Sequence, residues 1–106
     1  RDFLYVEDAV QGILKALHYE QGQSFQVFNI SGSQPVSLLQ VVSVIEQVAG
    51  QKTSIKFVKH DSPDVRFLWS SHEKARSILD YSPHVTLEEG ITQTLKYLQD
   101  HMREKG

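Results

Sequence analysis

SFQVFNISGSQPVSLLQVVSVIEQVA, residues 24–49, holds the switch from one chain periodicity to another on which the fold assignment turns. Phe25, Val27, Phe28 and Ile30 lie in a short run rich in aromatic and β-branched side chains, so residues 24–30 read as a mostly buried strand. Asn29 to Ser33 are turn formers, and Gly32 can adopt the positive φ that such a turn uses. Pro35 ends the turn. Ser37 then opens a helix. Ser37 and Gln40 have the spacing of a capping box, in which each side chain satisfies an amide that the first turn leaves unpaired.

Residues 38–49 carry eight apolar side chains in twelve. Leu38, Val41, Val42, Ile45, Val48 and Ala49 form one stripe, while Leu39 and Val44 lie off it. Such a helix calls for burial on more than one side. Twelve residues fall short of the roughly 20 needed to cross a bilayer, so a membrane role is not implied. Gly50 suits the left-handed residue that closes a helix.

Working outward, residues 2–6 (DFLYV) alternate and read as a second short strand. Glu7 and Asp8 are placed to cap the next helix or complement its dipole; a catalytic or metal reading of Asp2, Glu7 and Asp8 is the weaker one. Ala9, Val10, Ile13, Leu14 and Leu17 then recur at helical spacing, and the helix should stop before Gly22. Downstream, Ile55 and Phe57 alternate with Ser54, Lys56 and Val58 as a third strand. A polar loop containing Pro63 leads to a short helix from about Ser71, carried by Ala75, Ile78 and Leu79. After Pro83, Thr86 and Glu89 repeat the capping-box spacing ahead of an amphipathic helix through Leu87, Ile91, Leu95, Leu98 and Met102. The expected fold is α/β, about three short strands and four helices in the order β-α-β-α-β-α-α, as a single domain over residues 1–106.

Several chemistries are missing from the sequence. The net charge of −2 gives no general attraction to nucleic acid or to an anionic membrane. With no cysteine there is neither a disulfide framework nor a thiolate nucleophile, which suits a cytoplasmic setting. The glycines are too widely spaced for a dinucleotide or P-loop fingerprint. No tyrosine has a lysine four residues on, so the phenol–ammonium pair of reductase-type acid/base catalysis has no counterpart. The five histidines lie no closer than twelve residues apart, and each reads as a solvated surface residue. The chain opens Arg1-Asp2-Phe3 without an initiator Met, and the expectation is a segment cut from something longer.

Four landmarks run through the chain in order. They are RDFLYVED at residues 1–8; Phe28-Asn29-Ile30 with Ser31-Gly32 and the Pro-Val-Ser-Leu-Leu helix start; Asp64 with Trp69 and Lys74-Ala75; and Leu79-Asp80-Tyr81-Ser82-Pro83 before Leu87-Glu88-Glu89-Gly90. Together they resemble the C-terminal, substrate-binding region of the extended short-chain dehydrogenase/reductases, the NAD-dependent epimerase/dehydratase family that includes UDP-glucose 4-epimerase. The resemblance implies a parent protein whose N-terminal Rossmann domain, lacking here, holds NAD and the Tyr/Lys pair. This chain would bind no cofactor itself and would close over the nucleotide-sugar. It implies no activity in isolation.

The resemblance also assigns candidate site residues. Arg1 corresponds to the arginine that contacts the substrate diphosphate, a role matched to a guanidinium's two parallel donors. Asp64 falls at an acidic position suited to accepting hydrogen bonds from a ribose. Asp61 stands where UDP-sugar epimerases often carry an arginine, a departure that opposes a diphosphate, and Arg66 offers a replacement cation from the same loop. The expected activity is C4 epimerisation of a nucleotide-sugar by transient oxidation with NAD. A 4,6-dehydratase or decarboxylase lobe and a non-catalytic binding or assembly module are the alternatives. Expected partners are the nucleotide-sugar and the missing Rossmann domain, with self-association if apolar surface is left uncovered.

Overall fold

A computed structural model describes residues 1–20, 25–59 and 70–105. The chain divides into two compact units, Arg1–Val36 with Leu68–Val85, and Ser37–Phe67 with Thr86–Gly106. Their elements are α1 (Val6–Leu17), α2 (Leu38–Ala49), α3 (Glu73–Leu79) and α4 (Leu87–Lys105).

In the first unit, α1 and α3 pack together. The helix α1 begins at Val6, inside the segment expected to be strand, with Tyr5 as an extended N-cap that makes no side-chain cap bond. Glu7 and Asp8 occupy its first turn, where they complement the helix dipole. The apolar stripe of α1 is turned outward: Val6, Val10, Ile13, Leu14 and Leu17 are 47–74% exposed. Its buried residues are Asp8 and Gly12. Gly12 is there for close packing, because a Cβ at that position would come within 2.7 Å of Ile30 Cγ2.

The core of this unit is small. Ala75, Leu79 and Tyr81 are buried, with Tyr19, Phe28 and Ile30 packed against them. Tyr19 meets Phe28 edge-on at 5.9 Å between ring centroids, and Lys74 Nζ lies 5.0 Å from the centre of the Phe28 ring while donating to the Val27 carbonyl at 2.8 Å. At the end of α3, Asp80 takes a left-handed conformation (φ 57°), which aspartate tolerates better than most residues. The reversal lets the Tyr81 N–H donate to the Ala75 carbonyl at 3.2 Å and drops the Tyr81 ring into the core.

In the second unit α2 packs on α4. Ser37 and Gln40 form the expected capping box: the Ser37 N–H donates to Gln40 Oε1 at 2.8 Å, and the Gln40 N–H to Ser37 Oγ at 3.1 Å. Gly50 closes α2 with φ 69° and donates to the Glu46 carbonyl at 2.9 Å. Glu46 then accepts the Thr53 N–H at 2.7 Å and the Thr53 hydroxyl at 3.2 Å, which holds its carboxyl below the usual value. At the start of α4, the Thr86 hydroxyl donates to Glu89 Oε1 and accepts from the Glu89 N–H. No residue of α2 is fully buried: Val41, Val42, Val44 and Val48 are half-buried, and Leu38, Leu39 and Ile45 are exposed.

The four helices match the expectation, and the three strands do not. Among the described residues the only β pairing is a single antiparallel bridge between Asp2 and Pro35. Residues 25–30 do alternate, with Gln26, Phe28 and Ile30 half-buried and Phe25, Val27 and Asn29 exposed, but no backbone among the described residues completes a ladder with them. Alternation reports which side chains face a layer; a strand also needs a partner for its N–H and C=O groups. Residues 54–58 are exposed throughout.

Candidate functional site

The candidate site lies in the first unit, where the segment carrying Arg1 crosses residues 31–36. The Arg1 backbone nitrogen donates to the Val36 carbonyl at 2.7 Å, and the Val36 N–H donates to the Arg1 carbonyl at 2.8 Å. With the Asp2–Pro35 bridge, these bonds fix the backbone from which the exposed Arg1 projects. Gly32 makes the crossing possible. A Cβ there would collide with the Phe3 carbonyl oxygen and stand 2.6 Å from Asp2 Oδ1, so only glycine lets the two segments approach this closely. Both Asp2 carboxylate oxygens are buried at the crossing and take no hydrogen bond.

Beneath the crossing lies a buried polar network. The Tyr81 hydroxyl donates to the Ser31 carbonyl at 2.8 Å. Ser31 Oγ donates to the Ser70 carbonyl at 3.1 Å and lies 3.0 Å from His72 Nδ1. The His72 ring meets Tyr81 edge-on, with centroids 5.7 Å apart. Burial, and then the negative charges of Asp8 and Asp2, push the Tyr81 phenol up to about 12, so it is a neutral hydrogen-bond donor at physiological pH.

Asp8 is the other buried polar anchor. Its carboxylate accepts the His84 and Val85 N–H groups, each at 3.0 Å, one on each oxygen. A few residues along, Gln11 Nε2 donates to the Ser82 carbonyl at 3.1 Å. The first helix thus grips the 82–85 segment through polar side chains on its inward face.

Of the residues assigned from the sequence, Arg1 is described and exposed, whereas Asp61, Asp64 and Arg66 lie outside the described residues. His72 is not the solvated surface histidine expected. It is half-buried because Ser31 and Tyr81 enclose its ring. His18 and His101 do sit on exposed helix surfaces, each with Nδ1 near the carbonyl four residues earlier. Ser31, His72 and Tyr81 escaped sequence reading since no periodicity joins them. The one usable signal was the Asp80-Tyr81-Ser82-Pro83 helix stop, which directs Tyr81 inward.

The described glycines do not form a dinucleotide cradle. Gly12 packs a helix, Gly32 permits a crossing, Gly50 ends α2, and Gly90 lies inside α4; none opens a helix N-terminus. No helix among the described residues is long and apolar enough to cross a membrane. Nor do three or more His, Asp or Glu side chains gather among them as a metal site would require.

Over residues 1–94 the chain matches the family described as GDP-mannose 4,6 dehydratase, and it belongs to that NAD-dependent epimerase/dehydratase family. It is 25% identical over 103 residues to the UDP-glucuronate 4-epimerase of Thermodesulfobacterium geofontis, covering 96% of this chain and 31% of that protein. It is 34% identical over 98 residues to the UDP-glucose epimerase YtcB of Bacillus subtilis, itself uncharacterised, covering 92% and 31%. Among solved structures it is similar to the Bacillus cereus UDP-glucuronic acid 4-epimerase in complex with UDP-glucuronic acid and NAD (TM-score 0.87, 30% identity, 94% of this chain and 32% of that one). It is also similar to the Thermotoga maritima UDP-glucose 4-epimerase with UDP-glucose (TM-score 0.86, 27% identity, 96% and 32%). The chain spans less than a third of the length of these relatives.

Proposed function

We propose that this chain is the nucleotide-sugar-binding part of an NAD-dependent sugar 4-epimerase, without activity by itself. The observation that carries the reading is Arg1: an exposed residue whose backbone exchanges two hydrogen bonds with Val36, beside the Asp2–Pro35 bridge. A guanidinium carried on a backbone held in this way is suited to clamp a diphosphate through paired charge-assisted hydrogen bonds. Asp64 would receive the ribose hydroxyls, and Arg66 would offset the charge of Asp61 in the same loop. The likeness to epimerases solved with UDP-glucuronic acid and UDP-glucose supports this choice of ligand.

The outward apolar stripe of α1 fits the same reading. Val6, Val10, Ile13, Leu14 and Leu17 form the face a surface helix ordinarily buries, and here it is bare. Its occupant in the parent protein would be the Rossmann lobe that holds NAD, which supplies hydride chemistry at the sugar. This chain's own contribution would be to bind and orient the diphosphate and to help exclude water. The parent would act in the cytoplasm.

The test is to supply a longer polypeptide that includes this chain with UDP-glucose and UDP-glucuronic acid and to analyse the products. Interconversion of C4 epimers is expected. A 4-keto-6-deoxy product or release of carbon dioxide would instead identify a dehydratase or decarboxylase lobe. The absence of both product and binding heat with any nucleotide-sugar would replace the reading with a non-catalytic family-derived module, which the acidic Asp61 favours.

A further inference from the structure

We propose that Tyr81 is a positioning residue for Arg1, acting through Ser31 and supported by His72; this rests on the diphosphate reading of Arg1. The contacts form an unbroken path. The buried Tyr81 phenol donates to the Ser31 carbonyl at 2.8 Å. Ser31 is 6% exposed and is fixed again through its hydroxyl, against the Ser70 carbonyl and His72 Nδ1. Gly32, next along, lies against the Phe3 carbonyl and Asp2 with no room for a methyl group. Asp2 pairs with Pro35, and Arg1 exchanges both backbone bonds with Val36.

Hydrogen bonds of 2.8 and 2.7 Å stand at the two ends of the path and the close approach of Gly32 to residues 2 and 3 joins them, so a shift of Ser31 is passed toward the backbone of Arg1. Tyr81 suits this task. It is fully buried and therefore out of reach of the diphosphate itself, and it stays neutral across the working pH range. Its place is set by the Asp80 reversal and by packing against Ala75 and Leu79. Its acceptor, the Ser31 carbonyl, is on the segment that the Arg1 backbone crosses.

The experiment is a double-mutant cycle in the longer polypeptide with UDP as the probe, read by calorimetry. Each variant is first shown by urea unfolding to be fully folded at the titration temperature, because a reversibly unfolded fraction would itself raise the apparent dissociation constant. Arg1→Gln should weaken UDP binding about 10- to 100-fold, as expected for losing a charge-assisted pair, and Tyr81→Phe about tenfold. The double variant should bind no more weakly than Arg1→Gln alone. Effects that multiply, or a Tyr81→Phe constant within about twofold of the parent, would overturn the positioning role while leaving Arg1 in place. If Arg1→Gln left UDP binding unchanged, the diphosphate reading itself would fall. Should Tyr81→Phe not fold, Ser31→Ala, which keeps the Tyr81 bond and removes the hydroxyl ties to Ser70 and His72, tests the Ser31 link in the same cycle, and a constant within about twofold of the parent would overturn the path.

Discussion

The two units of the chain reach order by opposite means. Among its described residues the first has three buried apolar side chains and is tied together by polar ones: Asp8 to the 84–85 amides, Tyr81 to Ser31, Ser31 to Ser70, and Lys74 to Val27. The second has no such long-range polar ties among its described residues. Its order comes from helix signals close in sequence, namely the Ser37–Gln40 box, the Gly50 stop and the Thr86–Glu89 cap, together with the packing of α2 on α4. Directional bonds fix positions to a fraction of an ångström, whereas apolar packing tolerates sliding and repacking. Arg1, proposed to touch the substrate diphosphate, belongs to the polar unit.

The comparison breaks most sharply at Asp8. Replacing it by alanine removes both acceptors and leaves two part-buried N–H groups unpaired, so Asp8→Ala should cost about 3 kcal/mol in urea unfolding. A cost below about 1 kcal/mol would show that the 84–85 segment is held by something else.

Tyr81→Phe should cost about 1–2 kcal/mol at neutral pH, because the Ser31 carbonyl loses its donor. The pH dependence sharpens the point. The phenol's folded value, about 12, lies above its ordinary 10.0, so the unfolded chain releases the proton first. Its contribution is complete below pH 10, declines as pH rises and is gone at about 12. Unfolding followed at several alkaline pH values should show this decline in the parent sequence, and Tyr81→Phe should flatten it. An equal decline in both proteins would place the titrating group elsewhere.

In the second unit the largest single local contribution should be the cap. Ser37→Ala is expected to cost about 1 kcal/mol and to fray α2 from its start, visible as faster amide exchange at Gln40. Exchange that remained slow would mean that packing, and not the cap, holds this end.

The smallest effect on stability is expected at the bare face of α1. Ile13 is 56% exposed, so Ile13→Glu should change stability by no more than about 0.5 kcal/mol. It should nevertheless shift the isolated chain from self-associated to monomeric in light scattering. Unfolding of this variant would show that the stripe is an interior face.

Local signals made much of the helical layer legible. The capping box, the Gly50 stop and the 3.6-residue stripes are interactions within a few residues, so all four helices could be placed from residue order alone. The family could be recognised in the same way, from ordered landmarks such as RDFLYVED and LDYSP. Tertiary structure decided what needs a distant partner. It reduced three expected strands to one bridge, since alternation at residues 25–30 specifies a face and not a neighbouring backbone. It turned the stripe of α1 outward and the carboxylate of Asp8 inward, a choice that helical periodicity leaves open. It also joined Arg1, Ser31, His72 and Tyr81 across as many as 80 positions of chain, because hydrogen bonds and close contacts depend on distance in space, which residue order does not encode.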